Sequence, residues 1–375
     1  MTKYKFDEIA INSTQKKKPT EEDKVYYIGL EHIDPGCFDV VRWGSNVAPT
    51  GDKLLMQKGD VLFGKRRAYQ RKVAIAPFDG IFSAHGMVLR PNLKVIDANY
   101  FPFFISSDKF METAVRISVG GLSPTINWKD LARQEFELPS LDEQKVLADK
   151  LWAAYRLKEA YKKLLVATDE MVKSQFIEMF ENVESYCKLE DLVSDTFPGE
   201  WGSEPISENA IKVIRTTNFT NEGYLDLTDV VTRDIEPKKV VRKKLKQGDT
   251  ILERSGGTKD NPVGRVVFFD EIGDYLPNNF TQVLRPKESV NPVYLFYALY
   301  NSYNLNKAAM RAMASQTTGI QNLSMSDFMA KFIVLPSRNE QNKFEQIYRQ
   351  ADKSKFELKQ SIEHIDKVIK SLING

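Results

Sequence analysis

The stretch ELPSLDEQKVLADKLW at Glu137–Trp152 returns in altered form as VLPSRNEQNKFEQIYR at Val334–Arg349. Both copies contain Leu-Pro-Ser-x-x-Glu-Gln, in which the serine accepts from the third amide of a helix and the glutamate reaches back to the serine amide. The proline keeps the residue before it out of the helix. The phrase therefore predicts one helix that begins near Ser140 and another that begins near Ser337.

Five matches in the same order indicate that the whole chain is an internal duplication. YKFDEI matches CKLEDL with an offset of 183 residues, KGDVLF matches QGDTIL with 189, VLRP recurs with 195 and LPS with 197. The aromatic run at Tyr100–Ser107 resembles the run at Tyr294–Asn301. Because the offset grows from 183 to 197, the second copy has gained about fourteen residues.

Each copy has the same predicted order of elements. Alternating segments with turn residues predict short strands, and an aromatic helix, a Ser/Thr/Gly loop (SVGGLSPTIN or ASQTTGIQN) and a long helix follow. The sequence thus predicts a globular domain over 1–139, a long helix over 140–182, a second domain over 183–336 and a second long helix over 337–375. The predicted fold class is α+β, with two similar globular domains separated by two long antiparallel helices and related by a pseudo-twofold internal repeat.

The long helices carry apolar residues at alternating spacings of three and four, which predicts that they pair as a coiled coil. The alternative is two separate amphipathic helices, each packed on its own domain. An antiparallel pair is expected because the ends of a domain usually lie close together. Lys158 and Lys355 interrupt the two seams at equivalent places, either as polar breaks that discourage slipped registers or as side chains that extend to solvent. The predicted pairing residues are Leu147, Leu151, Ala154, Tyr161, Leu165, Val172, Phe344, Tyr348, Ala351, Leu358, Ile362, Ile365 and Ile369.

The composition argues against a membrane-spanning protein, a secreted protein and a cysteine-ligated metal site. The chain of 375 residues has a net charge of +2, and it has no apolar run long enough for a membrane span. Its first residues lack the apolar core of a signal peptide. The two cysteines, Cys37 and Cys187, show no ligand spacing and are typical of reduced thiols in a cytoplasmic protein.

The positive charge is local, and it favours DNA as the ligand of the two domains. Lys58–Lys72 holds six basic residues and one acid, and Lys238–Lys246 holds six and none, whereas Leu141–Phe180 carries seven of each sign. Two unlike domains in twofold relation match the symmetry of a duplex and predict two unlike half-sites. The alternative is that these are ordinary solvated loop charges.

The residues predicted to contact DNA fall into three groups. Those that could reach guanine edges are Arg66, Arg67, Arg71 and Arg254. Those suited to phosphates are Lys65, Lys72, Lys243 and Lys259. The set is completed by Tyr69, Thr125, Arg265, Thr317 and Gln321.

The order of domain, LPS-x-x-EQ and long helix, repeated once, resembles the specificity subunit of type I restriction-modification systems. LPSLDEQ at Leu138–Gln144 and Gly-Asp-Val-Leu at Gly59–Leu62 carry the resemblance, which covers essentially the whole chain. It implies that each globular unit is a target recognition domain for one half of a bipartite double-stranded DNA target. It also implies two copies of a partner methyltransferase subunit, with optional restriction (motor) subunits. No cofactor is implied in this chain; S-adenosylmethionine is expected on the methyltransferase, and ATP and magnesium on the motor subunit.

The residues give little support to catalysis in this chain. His32, His85 and His364 are not clustered, and no Gly-x-x-x-x-Gly-Lys-Ser/Thr loop is present. NPVY at Asn291–Tyr294 lacks the second proline of an amino-methyltransferase motif and falls in the aromatic helix. The sequence therefore predicts a non-catalytic recognition subunit. The alternatives are a self-contained DNA-modifying or nicking enzyme with an unrecognised site, and a scaffold that binds only protein.

Overall fold

The computed structural model describes residues 1–206, 210–317 and 319–374. The chain divides into two compact units. The first unit comprises Met1–Lys163 and Leu358–Gly375, and the second comprises Leu164–Glu357. Each unit therefore contains one globular domain and a part of both long helices.

The first unit consists of short strands, short helices and the beginning of a long helix. Its strands are β1 (Thr2–Lys5), β2 (Ala10–Ser13), β3 (Lys16–Lys17), β4 (Tyr27–Ile28), β5 (Lys53–Met56), β6 (Val61–Phe63), β7 (Val73–Ile75), β8 (Gly80–Phe82), β9 (Met87–Pro91) and β10 (Glu135–Leu138). Its helices are α1 (Phe6–Ile9), α2 (Phe101–Ser106), α3 (Asp108–Arg116), α4 (Trp128–Ala132) and the first part of α5 (Leu141–Phe180).

The second unit repeats this order with insertions. Its strands are β11 (Tyr186–Lys188), β12 (Val193–Pro198), β13 (Ile211–Ile214), β14 (Val231–Arg233), β15 (Asp249–Glu253), β16 (Ser255–Gly256), β17 (Val266–Phe269), β18 (Tyr275–Pro277), β19 (Thr281–Pro286), β20 (Ala314–Thr317), β21 (Ile320–Leu323) and β22 (Phe332–Val334). Its helices are α6 (Leu189–Leu192), α7 (Pro237–Lys243), α8 (Pro292–Leu305), α9 (Lys307–Ala312), α10 (Met325–Met329) and the first part of α11 (Arg338–Asn374).

The strand pairing of the two units confirms the duplication. The main sheet has the order β2-β9-β6-β7 in the first unit and β12-β19-β15-β17 in the second, and all of its pairs are antiparallel. The first strand pairs with the last in both units, so that Lys5 lies opposite Glu135 and Lys188 opposite Phe332. These positions differ by the offsets of 183 and 197 that the sequence matches predict.

The main sheet of the first unit is buried on both faces. Successive residues of a strand point to opposite sides of the sheet, and each side packs against a different hydrophobic cluster. Val61 and Phe63 of β6 pack in one cluster with Phe101 of the aromatic helix α2. Leu62 packs in another cluster with Phe82 of the smaller sheet β3-β5-β8-β4. Strand β15 of the second unit is buried between two clusters in the same way.

Two of the repeated motifs meet in a single buried ion pair in each unit. The aspartate of the Gly-Asp motif, Asp60, accepts from Arg90 of VLRP at 2.7 and 2.9 Å. Asp249 and Arg285 form the same bidentate pair at 2.8 and 2.7 Å. The carboxylate side chains are 7% and 1% exposed and the arginine side chains are 35% and 16% exposed, so each arginine neutralises a buried carboxylate while remaining partly open to solvent.

The helix starts follow the repeated phrase, and the predicted capping boxes are confirmed. The amide of Ser140 donates to Glu143 at 2.9 Å and the amide of Glu143 donates to the hydroxyl of Ser140 at 3.3 Å. Ser337 and Glu340 repeat these contacts at 2.9 and 3.4 Å. These hydrogen bonds, from the serine hydroxyl first, hold the pKa of both glutamates below the ordinary value.

The glutamine of the phrase has a structural role that the sequence does not reveal. Gln144 is fully buried; it accepts from the amide of Asp97 at 2.8 Å and donates to the carbonyl of Val95 at 3.1 Å. Gln341 is 2% exposed and accepts from the amide of Asn291 at 2.8 Å. In the first unit this glutamine fixes the start of the long helix to the loop that precedes the aromatic helix, and in the second unit to the N-cap residue of the aromatic helix.

The long helices pair within each unit. The first part of α5 pairs with the last part of α11 in the first unit, and the last part of α5 pairs with the first part of α11 in the second. The two helices are therefore antiparallel, and the predicted fold class is confirmed. Every residue predicted for helix pairing is buried or half-buried.

The two seam lysines do not extend to solvent. The side chain of Lys158 is 9% exposed, and its ammonium group lies 2.9 Å from a carboxylate oxygen of Asp366. The side chain of Lys355 is 11% exposed and lies 2.8 Å from Asp169. Lys158 and Lys355 differ by 197 residues, as do Asp169 and Asp366, so the same ion pair is made twice.

Candidate nucleic-acid interface

Three loops meet at one edge of the first unit. Gly64–Lys72, here named the recognition loop, joins β6 to β7, and a turn containing His85 joins β8 to β9. The amide of Arg66 donates to the carbonyl of His85 at 3.1 Å. Arg66 also forms a β-bridge with Thr125 of the Ser/Thr/Gly loop. The structure thus brings the basic segment together with the Ser/Thr/Gly loop that precedes the long helix.

The second unit has the same arrangement at equivalent positions. The amides of Arg254 and Ser255 donate to the carbonyl of Phe280 at 3.0 Å. Ser255 pairs with Asn322 in the sheet β16-β21-β20, which replaces the Ser/Thr/Gly loop of the first unit. His85 and Phe280 differ by the VLRP offset of 195, and Thr125 and Asn322 by the LPS offset of 197.

The first unit concentrates positive charge around His85. A guanidinium nitrogen of Arg66 lies 3.3 Å from its imidazole. Partial desolvation of the ring, and then the charges of Arg66, Lys65 and Lys53, lower the pKa of His85 against a smaller opposing effect of Glu31. Burial and the nearby charge of Lys16 lower the pKa of Lys65. A local excess of cations of this kind attracts a polyanion such as the DNA backbone.

Within the recognition loop the predicted residues divide by their contacts. Tyr69 is 54% exposed. Arg67 donates to the hydroxyl of Ser123 at 3.0 and 3.2 Å, and Arg71 donates to Asp108 at 2.7 Å. The ammonium group of Lys72 donates to a backbone carbonyl within the fold at 2.6 Å, so this lysine is anchored in the unit.

In the second unit, three predicted side chains lie at the meeting of the loops or beside it. Arg254 is half-buried, with a guanidinium nitrogen 3.5 Å from the side-chain oxygen of Gln282. Gln321 accepts from the amide of Val263 at 3.3 Å, and Lys259 is exposed. Thr317 ends β20, but its side chain lies outside the described part of the structure.

Two predicted residues of the second unit have their charges paired inside it. Lys243 of α7 donates to Glu200 at 2.6 Å, and its side chain is 13% exposed. Arg265 donates to Glu253 at 2.7 Å with 18% of its side chain exposed. The structure therefore does not present these two cations to a ligand as it presents Lys259.

Sequence reasoning did not identify the turn that comes just before the strand ending in VLRP, which is β9 in the first unit and β19 in the second. His85 and Phe280 are both exposed at this turn, and their carbonyl groups accept from the neighbouring basic segment. Ser123 and Asn322 lie in the two Ser/Thr/Gly loops, but they are not among the individual residues that the sequence predicts to contact DNA. The duplication could have identified these positions. The VLRP offset makes His85 and Phe280 equivalent, and the LPS offset makes Asn322 equivalent to the predicted residue Thr125.

The described residues offer neither a metal centre nor a membrane segment. Within 1–206, 210–317 and 319–374, no group of three or more His, Cys, Asp or Glu side chains could hold a metal ion. In the same residues, no helix is both long and apolar enough to cross a bilayer.

Comparisons with known proteins point to one family. The model of the type I restriction modification DNA specificity domain matches residues 3–165 and 196–366. The specificity subunit of the type I restriction enzyme EcoKI from Escherichia coli K12 is 20% identical over an alignment 387 residues long, including gaps. The alignment covers 94% of this chain and 82% of that protein. The StySPI specificity subunit from Salmonella potsdam is also 20% identical, with coverages of 94% and 81%.

Solved structures share the fold over the full chain. The S subunit of a type I restriction-modification system from M. genitalium has a TM-score of 0.60 at 14% identity, with coverage of 99% of this chain and 94% of that one. A chain from a type I R-M system has a TM-score of 0.58 at 16% identity, with coverages of 99% and 96%.

Proposed function

Because the chain belongs to the family of type I restriction-modification DNA specificity subunits, we propose that it reads a bipartite, asymmetric DNA target. Each unit reads one short half-site through its meeting loops, and the bases between the half-sites are not read. The chain itself is not catalytic in this proposal. It directs the chemistry of partner subunits to the sequence that it binds, in the cytoplasm, where the DNA lies.

One observation carries the proposal. The two units place different side chains on the same backbone scaffold at the meeting of the three loops. Where the first unit has Arg66 and His85, the second has Ser255 and Phe280. Different side chains on a common frame suit two unlike half-sites, because base edges are distinguished by hydrogen-bonding groups and apolar contacts.

The partner in this proposal is a methyltransferase subunit, bound in two copies. The features common to both units support this number: the capping phrase, the buried glutamine and the seam ion pair each occur twice. S-adenosylmethionine is held by the methyltransferase. Optional restriction (motor) subunits use ATP and magnesium.

The proposal is tested by methyl transfer in a purified system. The chain, the partner methyltransferase and both together are incubated with labelled S-adenosylmethionine and duplex DNA. Transfer is expected only when both proteins are present. Transfer by the chain alone would favour the self-contained enzyme instead.

Salt dependence separates DNA binding from a scaffold that binds only protein. Each phosphate contact releases counterions, so affinity for duplex DNA should fall by about 10³ to 10⁵ between about 50 and 200 mM salt if six to ten phosphates are contacted. Association that is indifferent to salt would contradict the proposed interface. Replacing the recognition loop of the first unit with a loop of different sequence should change the DNA sequence of only one half-site.

A further inference from the structure

The recognition loop has an unusual backbone. Arg67 and Arg71 have φ values of 57° and 52°, and they are the two non-glycine residues with positive φ in the described part of the chain. They flank a single 3₁₀ turn over Ala68–Gln70. Residues with a Cβ atom avoid this region, and they remain in it only where surrounding contacts hold them.

The first arginine is held by the Ser/Thr/Gly loop. Two guanidinium nitrogens of Arg67 donate to the hydroxyl of Ser123 at 3.0 and 3.2 Å. Its backbone amide donates to the carbonyl of Pro124 at 2.7 Å. The side chain and the backbone of Arg67 are therefore both fixed to one neighbouring loop.

The second arginine is held by the start of α3. A guanidinium nitrogen of Arg71 donates to Asp108 at 2.7 Å and to the carbonyl of Ser106 at 2.8 Å. Asp108 is fixed in turn by the end of α11. It accepts from Asn374 at 3.0 Å, its amide donates to Asn374 at 2.9 Å, and Lys370 lies 3.4 Å away.

This network favours the ionised form of Asp108. Burial alone would raise the pKa of its carboxyl group, but the hydrogen bond and charge of Arg71 together with Lys370 bring the pKa below the ordinary value. The ion pair with Arg71 is therefore intact at neutral pH. The guanidinium groups of Arg67 and Arg71 make these contacts within the unit although both residues are exposed, and the turn between them carries the exposed ring of Tyr69.

Tyr69 lies in that turn. Its neighbour Ala68 is 1% exposed and packs in the core, whereas Tyr69 is 54% exposed. A phenol on a fixed turn offers an apolar ring edge and a hydroxyl that both donates and accepts. Such a group suits the edges of base pairs, where a thymine methyl and hydrogen-bonding atoms lie side by side.

We propose that Tyr69 is a base-reading side chain of the first unit, and that Arg67, Arg71 and Asp108 are positioning residues that present it. This inference rests on the proposed function, because it needs the first unit to read a half-site. The equivalent loop of the second unit has glycines at the positions with positive φ, Gly256 and Gly257. It can adopt this backbone conformation without arginine side chains that hold it in place. Dependence on Tyr69 is therefore confined to the half-site that the first unit reads.

The test uses the full chain, co-expressed with its partner methyltransferase, and methylome sequencing of the host. Tyr69→Ala should make at least one base pair of one half-site degenerate, with a loss of discrimination of about tenfold or more. The other half-site should stay unchanged, and methylation at sites that keep it shows that the variant is folded. Tyr26→Ala, which removes a tyrosine of the same unit that is 53% exposed, is the matched control and should leave the motif intact.

A second variant tests the positioning network. Asp108→Asn keeps the shape of the side chain and removes its charge, so it should relax the same base pair as Tyr69→Ala by a smaller factor, and Asp108→Glu should restore part of the discrimination. The inference is overturned if Tyr69→Ala keeps the full motif, or if Asp108→Asn relaxes both half-sites equally. If the unaltered chain yields no motif with its partner, the proposed function itself has failed.

Discussion

The ion pair that the two long helices make twice gives a quantitative prediction about helix pairing. The ammonium group of Lys158, on α5, lies 2.9 Å from Asp366 on α11 and 3.4 Å from the carbonyl oxygen of Gly36. Asp366→Asn preserves the shape of the acceptor but removes its charge. The buried ammonium group then loses its counter-charge, and Asp169→Asn does the same in the second unit.

The exposure of the two partners bounds the size of the effect. Removal of one partner from a fully buried pair costs about 3–5 kcal/mol, and surface pairs contribute about 0–1 kcal/mol. The side chain of Lys158 is 9% exposed but that of Asp366 is 54% exposed, so solvent screens one side of the pair. We therefore expect Asp366→Asn to lower the free energy of unfolding by about 1–3 kcal/mol.

Lys158→Met distinguishes the ion pair from simple packing. It removes the buried charge together with its desolvation cost, so its effect should be within about 1 kcal/mol of zero. The double variant should recover most of what Asp366→Asn loses, which corresponds to a coupling of about 0.5–3 kcal/mol.

Urea unfolding should be monitored by hydrogen exchange of individual segments, because a chain with two compact units need not unfold in one step. Asp366→Asn should lower protection in the helix segments of the first unit, and Asp169→Asn in those of the second. If Asp366→Asn leaves protection and stability unchanged, or if the double variant with Lys158→Met recovers none of the loss, the buried ammonium group does not depend on this carboxylate.

Three further predictions concern the helix start and the interface. Gln144→Ala leaves the amide of Asp97 and the carbonyl of Val95 without their buried partner, so thermal or urea unfolding should show a loss of about 2–4 kcal/mol, and a change below about 0.5 kcal/mol would contradict the role. Ser140→Ala removes the cap of α5 and should cost about 0.5–2 kcal/mol, with hydrogen exchange accelerated in its first turn; unchanged exchange there would argue against the cap. The pKa of His85 is lower in the folded chain than in the unfolded chain, first through partial desolvation of the exposed residue's ring and then through the neighbouring cations, so the unfolded chain binds more protons and stability should fall as the pH drops through about 6.5. His85→Phe should remove that part of the pH dependence, and equal slopes for both proteins between about pH 8 and 5 would exclude it.

The features that the sequence predicts well are local ones. A capping box spans four residues, and a seam is visible in the spacing of Leu147 and Leu151, so neither needs knowledge of distant contacts. The duplication adds long-range information because equivalent offsets identify equivalent strands. These signals predict where the long helices begin, which faces pair and that two similar domains exist.

The use of each charged side chain could not be predicted, because the partners are distant in sequence. Lys243 is paired with Glu200, 43 residues earlier, and Arg71 with Asp108, 37 residues later. Composition cannot tell an arginine that clamps a loop from one that reads a base. The same limit applies to Gln144, whose partners lie in a loop 47 to 49 residues earlier.

Methylome sequencing of a host that expresses this chain with its partner methyltransferase shows whether two unlike units read two unlike half-sites. We expect one motif made of two short, different sequences separated by a spacer of fixed length. A single continuous motif, two identical half-sites, or methylation without a sequence motif would contradict it.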